Sequence, residues 1–178
     1  MDYTWEIRPA YFIGSAALAT GAGLHLAGLL TPRWTVISED VHIGLFEWCS
    51  FGVCTVMLTD RKPASLLSCQ VLAILGSVSG CLALLLTLFY LALLRCGCGS
   101  WKGVLVGASC FSTLAFLSIV INACVWSSRT IKDLHGSHTG SMGYSYVLSC
   151  VGGGVLGAAG IYLVPLGRYE TSEYQLLR

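Results

Sequence analysis

Cysteines and histidines are the side chains of this 178-residue chain with the most chemistry to offer, and their spacing sorts the nine cysteines. Cys49 and Cys54 stand in an alternating polar and apolar stretch, where they could cross-link two short strands if the segment meets an oxidising lumen. Cys96 and Cys98 sit in Arg95-Cys96-Gly97-Cys98-Gly99, directly after an apolar run, the position where cytosolic palmitoylation occurs. As zinc ligands these two thiols would be half a site, with no nearby His or Cys to complete it. Cys69, Cys81, Cys110, Cys124 and Cys150 fall within or beside apolar runs and read as small packing groups. His135 and His138 could share a metal on a helix, but Gly136 and Gly140 make a solvated loop the better reading.

Catalysis would need a nucleophile, a base and an electrophile brought together. The chain has no Cys-x-x-Cys, no Gly-x-Ser-x-Gly and no His-Glu-x-x-His, and no carboxylate interrupts its apolar runs. A non-catalytic protein without a cofactor is the expectation. One further motif lies near the C-terminus, where Tyr174-Gln175-Leu176-Leu177 spaces an aromatic and an apolar side chain, Tyr174 and Leu177, as endocytic adaptor signals do. The polar stretch Arg168–Glu173 before it is expected to stay extended.

The elements that must carry these residues follow from composition. Hydrophobic residues make up 55% of the chain and charged residues 11%, with a mean hydropathy of +0.74, outside the usual range of a soluble domain. Ala10–Leu30, Leu66–Leu94, Val104–Trp126 and Tyr144–Val164 contain no Asp, Glu, Lys or Arg. Each reaches the roughly 20 residues that cross a hydrocarbon core, and none shows a polar stripe at 3.6-residue spacing. A cleavable signal fits the start of the chain poorly, since Asp2 and Glu6 outweigh Arg8 and the first run is longer than a signal's apolar core, so the first helix is expected to stay in the mature protein. A net charge of +1 with no basic run gives no footprint for nucleic acid.

The expectation is an all-α membrane protein of one domain, a four-transmembrane-helix bundle with a small extracellular β-sheet in its first loop. Spans cover 10–30, 66–94, 104–126 and 144–164; extracellular loops cover 31–65 and 127–143; the loop 95–103 and the tail 165–178 are cytosolic. Lys and Arg do not orient the chain. Arg8, Arg95, Lys102, Arg168 and Arg178 lie on the terminal side, against Arg33, Arg61, Lys62, Arg129 and Lys132. The cysteines do orient it, because Cys49 and Cys54 want an oxidising lumen and Cys96 and Cys98 want the cytosol.

Within the first loop, Trp34–Ile37 and Val53–Leu58 are rich in β-branched residues, with turns at Ser38–Asp40 and Ser50–Gly52, so a sheet of three or four strands is expected. Trp34, Phe46 and Trp48 could seat it on the membrane interface. Gly76/Gly80, Gly103/Gly107 and Gly153/Gly157 form Gly-x-x-x-Gly pairs suited to close helix packing within the bundle. His25 and Asn122, at depth, each need a hydrogen-bond partner, although His25 is near enough to Leu30 to reach the interface. Asn122 is the only asparagine, so there is no glycosylation sequon.

One pattern carries identity: Trp34 just after the first run, then Gly44-Leu45-Phe46-Glu47-Trp48-Cys49, then Cys54. It resembles the signature of the claudin superfamily, Gly-Leu-Trp-x-x-Cys followed by a second Cys, with Phe46 where the family usually has Trp. The short gap between the cysteines, and Gly143-Tyr144-Ser145-Tyr146 at the entry to the fourth run, are similar to the lens-fibre membrane protein and claudin-domain-containing branch. The resemblance implies a Cys49–Cys54 disulfide. It also implies adhesion or junction assembly, as in claudins, or membrane-domain organisation, as in peripheral myelin and epithelial membrane proteins, with an auxiliary ion-channel subunit, as in calcium-channel gamma subunits, as the alternative. Implied partners are membrane lipids and other membrane proteins, in homo- or hetero-oligomers, at the plasma membrane. First-loop charges are balanced and the chain lacks a terminal Tyr-Val, which argues against a scaffold-tethered, charge-selective pore.

Overall fold

A computed structural model describes residues 4–56, 63–96, 102–130 and 140–176. Helix α1 (Thr4–Leu30) is followed by strands β1 (Thr35–Ser38), β2 (Val41–Ile43), β3 (Glu47–Ser50) and β4 (Val53–Val56). Then come α2 (Ala64–Arg95), α3 (Lys102–Val125), a π-helical turn (Trp126–Thr130), β5 (Ser141–Met142) and α4 (Tyr144–Leu176). Four helices are long and apolar enough to cross a membrane, over Pro9–Leu30, Ala64–Arg95, Gly103–Ser128 and Tyr144–Leu166. At 32 residues α2 is about 48 Å long against a core of about 30 Å, so it tilts or protrudes.

The helices form a ring in which α1 and α3 each pack on both α2 and α4. The polarity of the ring is that of a membrane protein. Between Leu66 and Tyr90 near its two ends, the buried face of α2 is small or polar, with Cys69, Gln70, Ala73, Gly76, Ser79, Gly80, Ala83 and Thr87, while Leu67, Val71, Ile74, Val78, Leu82, Leu85 and Phe89 point outward. Lipid tails supply no hydrophobic force between helices, so packing relies on close approach and on hydrogen bonds across the ring. Ser112 donates to the Leu156 carbonyl at 2.6 Å and Ser109 to the Gly160 carbonyl at 3.0 Å, both from α3 to α4. Where α1 meets α4, a Cβ on Gly28 would fall 2.5 Å from the Ser145 carbonyl oxygen, so only glycine admits this crossing. Gly76, Gly80, Gly153 and Gly157 likewise face partners in the bundle, whereas Gly103 meets nothing within 4 Å.

The sheet is antiparallel with strand order β4-β3-β2-β1-β5. The first loop supplies four of the strands, within the three or four expected, and the second loop adds a fifth. Ser141 and Met142 of the second loop pair with Val36 and Thr35, a contribution of two residues of backbone with no strand-like run to announce it. The other difference lies in the tail. Helix α4 does not stop before Pro165 but runs through it to Leu176. Proline removes one backbone hydrogen bond, yet Leu166, Arg168, Glu170, Glu173, Gln175 and Leu176 are all good helix formers, and a helix already several turns long extends over them.

Candidate functional site

The residues singled out by the pattern around Trp34 meet at the sheet end of the bundle, where the first strand leaves α1. Trp34 is 1% exposed, and its indole N–H donates to the Gly28 carbonyl at 2.7 Å. Trp126, the first residue of the π-helical turn after α3, packs edge-on against it at a centroid distance of 5.2 Å, and Tyr146 of α4 does so at 5.9 Å. The Trp126 indole N–H in turn donates to the Thr35 hydroxyl at 3.1 Å. Backbone bonds close the joint: Gly143 N–H to the Trp34 carbonyl at 2.9 Å and Ser145 N–H to the Arg33 carbonyl at 3.2 Å. Trp34 does seat the sheet, but on the protein rather than on the membrane interface: it is a buried keystone joining α1, the π-helical turn after α3, α4 and the sheet, because its ring finds aromatic partners and its N–H a carbonyl inside the protein. Phe46 and Trp48 are partly buried and pack on the same apolar cluster, with Leu29, Ile43, Leu45 and Leu66.

Gly44 and Leu45 fix the membrane-proximal turn between β2 and β3. A Cβ on Gly44 would sit 2.6 Å from Pro32 Cα, so glycine is required for this turn to lie against the end of α1. Leu45 is buried, and its carbonyl accepts a 2.7 Å bond from the Gln70 amide of α2. One residue pair in from the β3–β4 turn, Cys49 and Cys54 form a disulfide and face each other across the two strands. His42 lies beside them, but paired sulfurs offer a metal no thiolate. The turn they flank has positive φ at both central residues, 49° at Phe51 and 78° at Gly52, the arrangement of a type I′ hairpin. Its first central position favours Asn, Asp or Gly, yet here it holds a phenylalanine that is 79% exposed.

The family model described as PMP-22/EMP/MP20/Claudin family matches residues 10–162. The chain belongs to this family. It is a multi-pass membrane protein of a non-enzymatic family, with a disulfide-linked hairpin next to its first span. A search of the curated proteins finds no match.

The polar residues at depth divide. His25 does not reach the interface: it is fully buried, with Nδ1 2.8 Å from the Ser149 hydroxyl and Nε2 3.2 Å from the Ala73 carbonyl. A carbonyl only accepts, so Nε2 carries the proton, and Nδ1 of the neutral ring accepts from Ser149. One ring thus ties α1 to α2 and α4. The Asn122 side chain is also fully buried, but its amide nitrogen and oxygen have no partner among the described residues. Cys69 packs in the core, whereas Cys110 and Cys124 are exposed on α3 rather than serving as internal packing groups. Cys96 is exposed at the C-terminal cap of α2, and Cys98, His135, His138 and Leu177 lie outside the described residues. Tyr174 belongs to the last turn of α4, so its segment is helical rather than extended.

Sequence reasoning missed Trp126, Tyr146 and Gln70 as partners of the motif residues, and Ser149 as the partner of His25. Trp126 and Tyr146 carried a usable signal: aromatic residues at the sheet-side ends of the third and fourth runs, level with Trp34.

Proposed function

We propose that this chain acts in adhesion between apposed membranes, with the sheet extracellular, both termini cytosolic, and the plasma membrane as its site. Phe51 carries this reading. The sheet is seated at one end on Trp34, and β1 runs from there to Ser38, away from the helix ends. The Phe51 N–H donates to the Asp40 carbonyl at 2.9 Å, which sets the β3–β4 turn beside the β1–β2 turn at the far end. A bulky ring is therefore displayed at the end of the sheet opposite Trp34, in a backbone conformation that costs an ordinary L-residue about 1–2 kcal/mol. Strain of this kind at an exposed apolar residue marks a contact surface, since folding alone would favour Asn there. Val53, 65% exposed on the same hairpin, extends the apolar surface.

Cells expressing the parent and Phe51→Asn at equal surface density test the reading. The parent should aggregate cells and the variant should do so several-fold less; equal aggregation overturns the adhesive role. If Phe51→Asn instead leaves aggregation intact and loses a co-purifying channel, the auxiliary-subunit alternative takes its place. Exposed Cys96, at the end of α2, is offered for acylation on the cytosolic side. Use of Tyr174 and Leu177 as a sorting signal would require the last turn of α4 to unwind.

A further inference from the structure

The membrane-proximal side of the sheet holds a cleft of about 220 Å³ lined by Leu29, Leu30, Thr31, Pro32, Leu45, Phe46 and Glu47. Its walls are fixed. Gly44 lies tight against Pro32, the Gly44 N–H donates to the Glu47 carbonyl at 2.8 Å, and the Gln70 amide holds the Leu45 carbonyl. Its depth is equally defined, because Leu30 ends the first span and is 77% exposed. The cleft thus opens where acyl chains give way to headgroups.

The chemistry of the lining is selective. Among the described residues that line it, Glu47 is the only charged one and Phe46 the only aromatic one, and no basic side chain is present. The Thr31 hydroxyl is already engaged, with the Ala27 carbonyl and the Ser145 hydroxyl. An anionic headgroup would find no counter-charge and no free donor. A primary ammonium would exchange water for one carboxylate and leave N–H groups unpaired. A quaternary ammonium has no N–H to satisfy, and a carboxylate beside an aromatic face in an apolar wall is the environment that attracts it.

We propose that this cleft seats the headgroup of a choline phospholipid from the leaflet bordering the sheet. The Glu47 carboxylate and Phe46 ring hold the trimethylammonium, the phosphate stays in water, and Leu29, Leu30 and Leu45 meet the glycerol and first acyl carbons. The site would order boundary lipid around the sheet whether or not Phe51 mediates adhesion.

The test uses the full chain in nanodiscs with equal parts of phosphatidylcholine, phosphatidylethanolamine and phosphatidylglycerol, reading retained lipid by native mass spectrometry. The parent should retain phosphatidylcholine several-fold over the other two. Glu47→Gln should abolish that preference and Phe46→Leu should weaken it, with the Cys49–Cys54 disulfide still formed. Equal retention of the three lipids by the parent, or an unchanged preference in Glu47→Gln, overturns the proposal. Should Glu47→Gln fail to fold, a photo-crosslinking residue at Leu30 of the otherwise unaltered chain decides. Capture of phosphatidylcholine supports the site; capture of a second protein chain, or of all three lipids alike, refutes it.

Discussion

At the seat of the sheet Trp34 is 1% exposed, its ring enclosed by Trp126 and Tyr146 and its N–H held by Gly28; at the tip Phe51 is 79% exposed in a left-handed conformation. Each is an aromatic residue in the same small sheet, yet one is placed where local and tertiary preferences agree and the other where they conflict. Agreement across levels is the mark of a residue selected for folding. Conflict at an exposed position is the mark of one kept for contact. The contrast makes opposite forecasts for substitutions at the two ends.

The seat should show the largest loss. Trp34→Ala removes the centre of the aromatic cluster and takes from the Gly28 carbonyl its shortest side-chain hydrogen bond, so a destabilisation of about 3–5 kcal/mol is expected. The thermal midpoint of the purified chain in detergent measures it. A loss under about 1 kcal/mol would break the comparison, because Trp34 would then be dispensable despite its burial.

Between the ends lies the Cys49–Cys54 bridge. It closes a sequence separation of only 5 residues, so the chain-entropy model gives it about 2 kcal/mol, the low end for a disulfide. The double variant Cys49→Ser, Cys54→Ser should therefore cost less than Trp34→Ala in the same melting experiment. The reverse ranking would show that the hairpin, and not the tryptophan joint, organises the sheet.

What could be read from the sequence tracks the range of the forces involved. The spans are legible because an uninterrupted apolar run is a local property, and the hairpin because Cys49, Cys54 and their β-branched neighbours are close in sequence. The partnership of Trp34 with Trp126 and Tyr146 is not, since it depends on how the ring of helices closes. Strand β5 escapes notice because backbone pairing at Ser141 and Met142 leaves no trace in residue type. The tail misleads for a different reason: polar composition suggests an extended chain, but α4 supplies a ready nucleus and helix growth needs only one more bond per residue.

Asn122 offers a smaller effect of opposite sign, inside the bundle. Its amide is fully buried with no side-chain partner among the described residues, a burden of about 1–3 kcal/mol by the measure of mutational data. Asn122→Leu, similar in shape, should raise the thermal midpoint by an equivalent of about 1 kcal/mol. A lowered midpoint would mean that a bound water or ligand completes the amide in the membrane.

The smallest expected change is the most discriminating. Phe51→Asn places at the first turn position a residue that accepts positive φ, in front of Gly52, and so creates the Asn-Gly pair that favours type I′ hairpins. Nothing is lost from the core, because the ring is exposed. The variant should therefore be more stable than the parent by roughly 0.5–1 kcal/mol, recovering part of the left-handed penalty. At the seat every truncation weakens the fold; here a truncation should strengthen it while weakening contact between cells. The two readouts separate the possible roles of the ring. A variant that melts earlier would show that Phe51 packs usefully within the sheet. One that melts later and still aggregates cells would show that the strain serves no contact. Greater stability together with lost aggregation is the outcome that a retained, conformationally costly phenylalanine at the far end of the sheet requires.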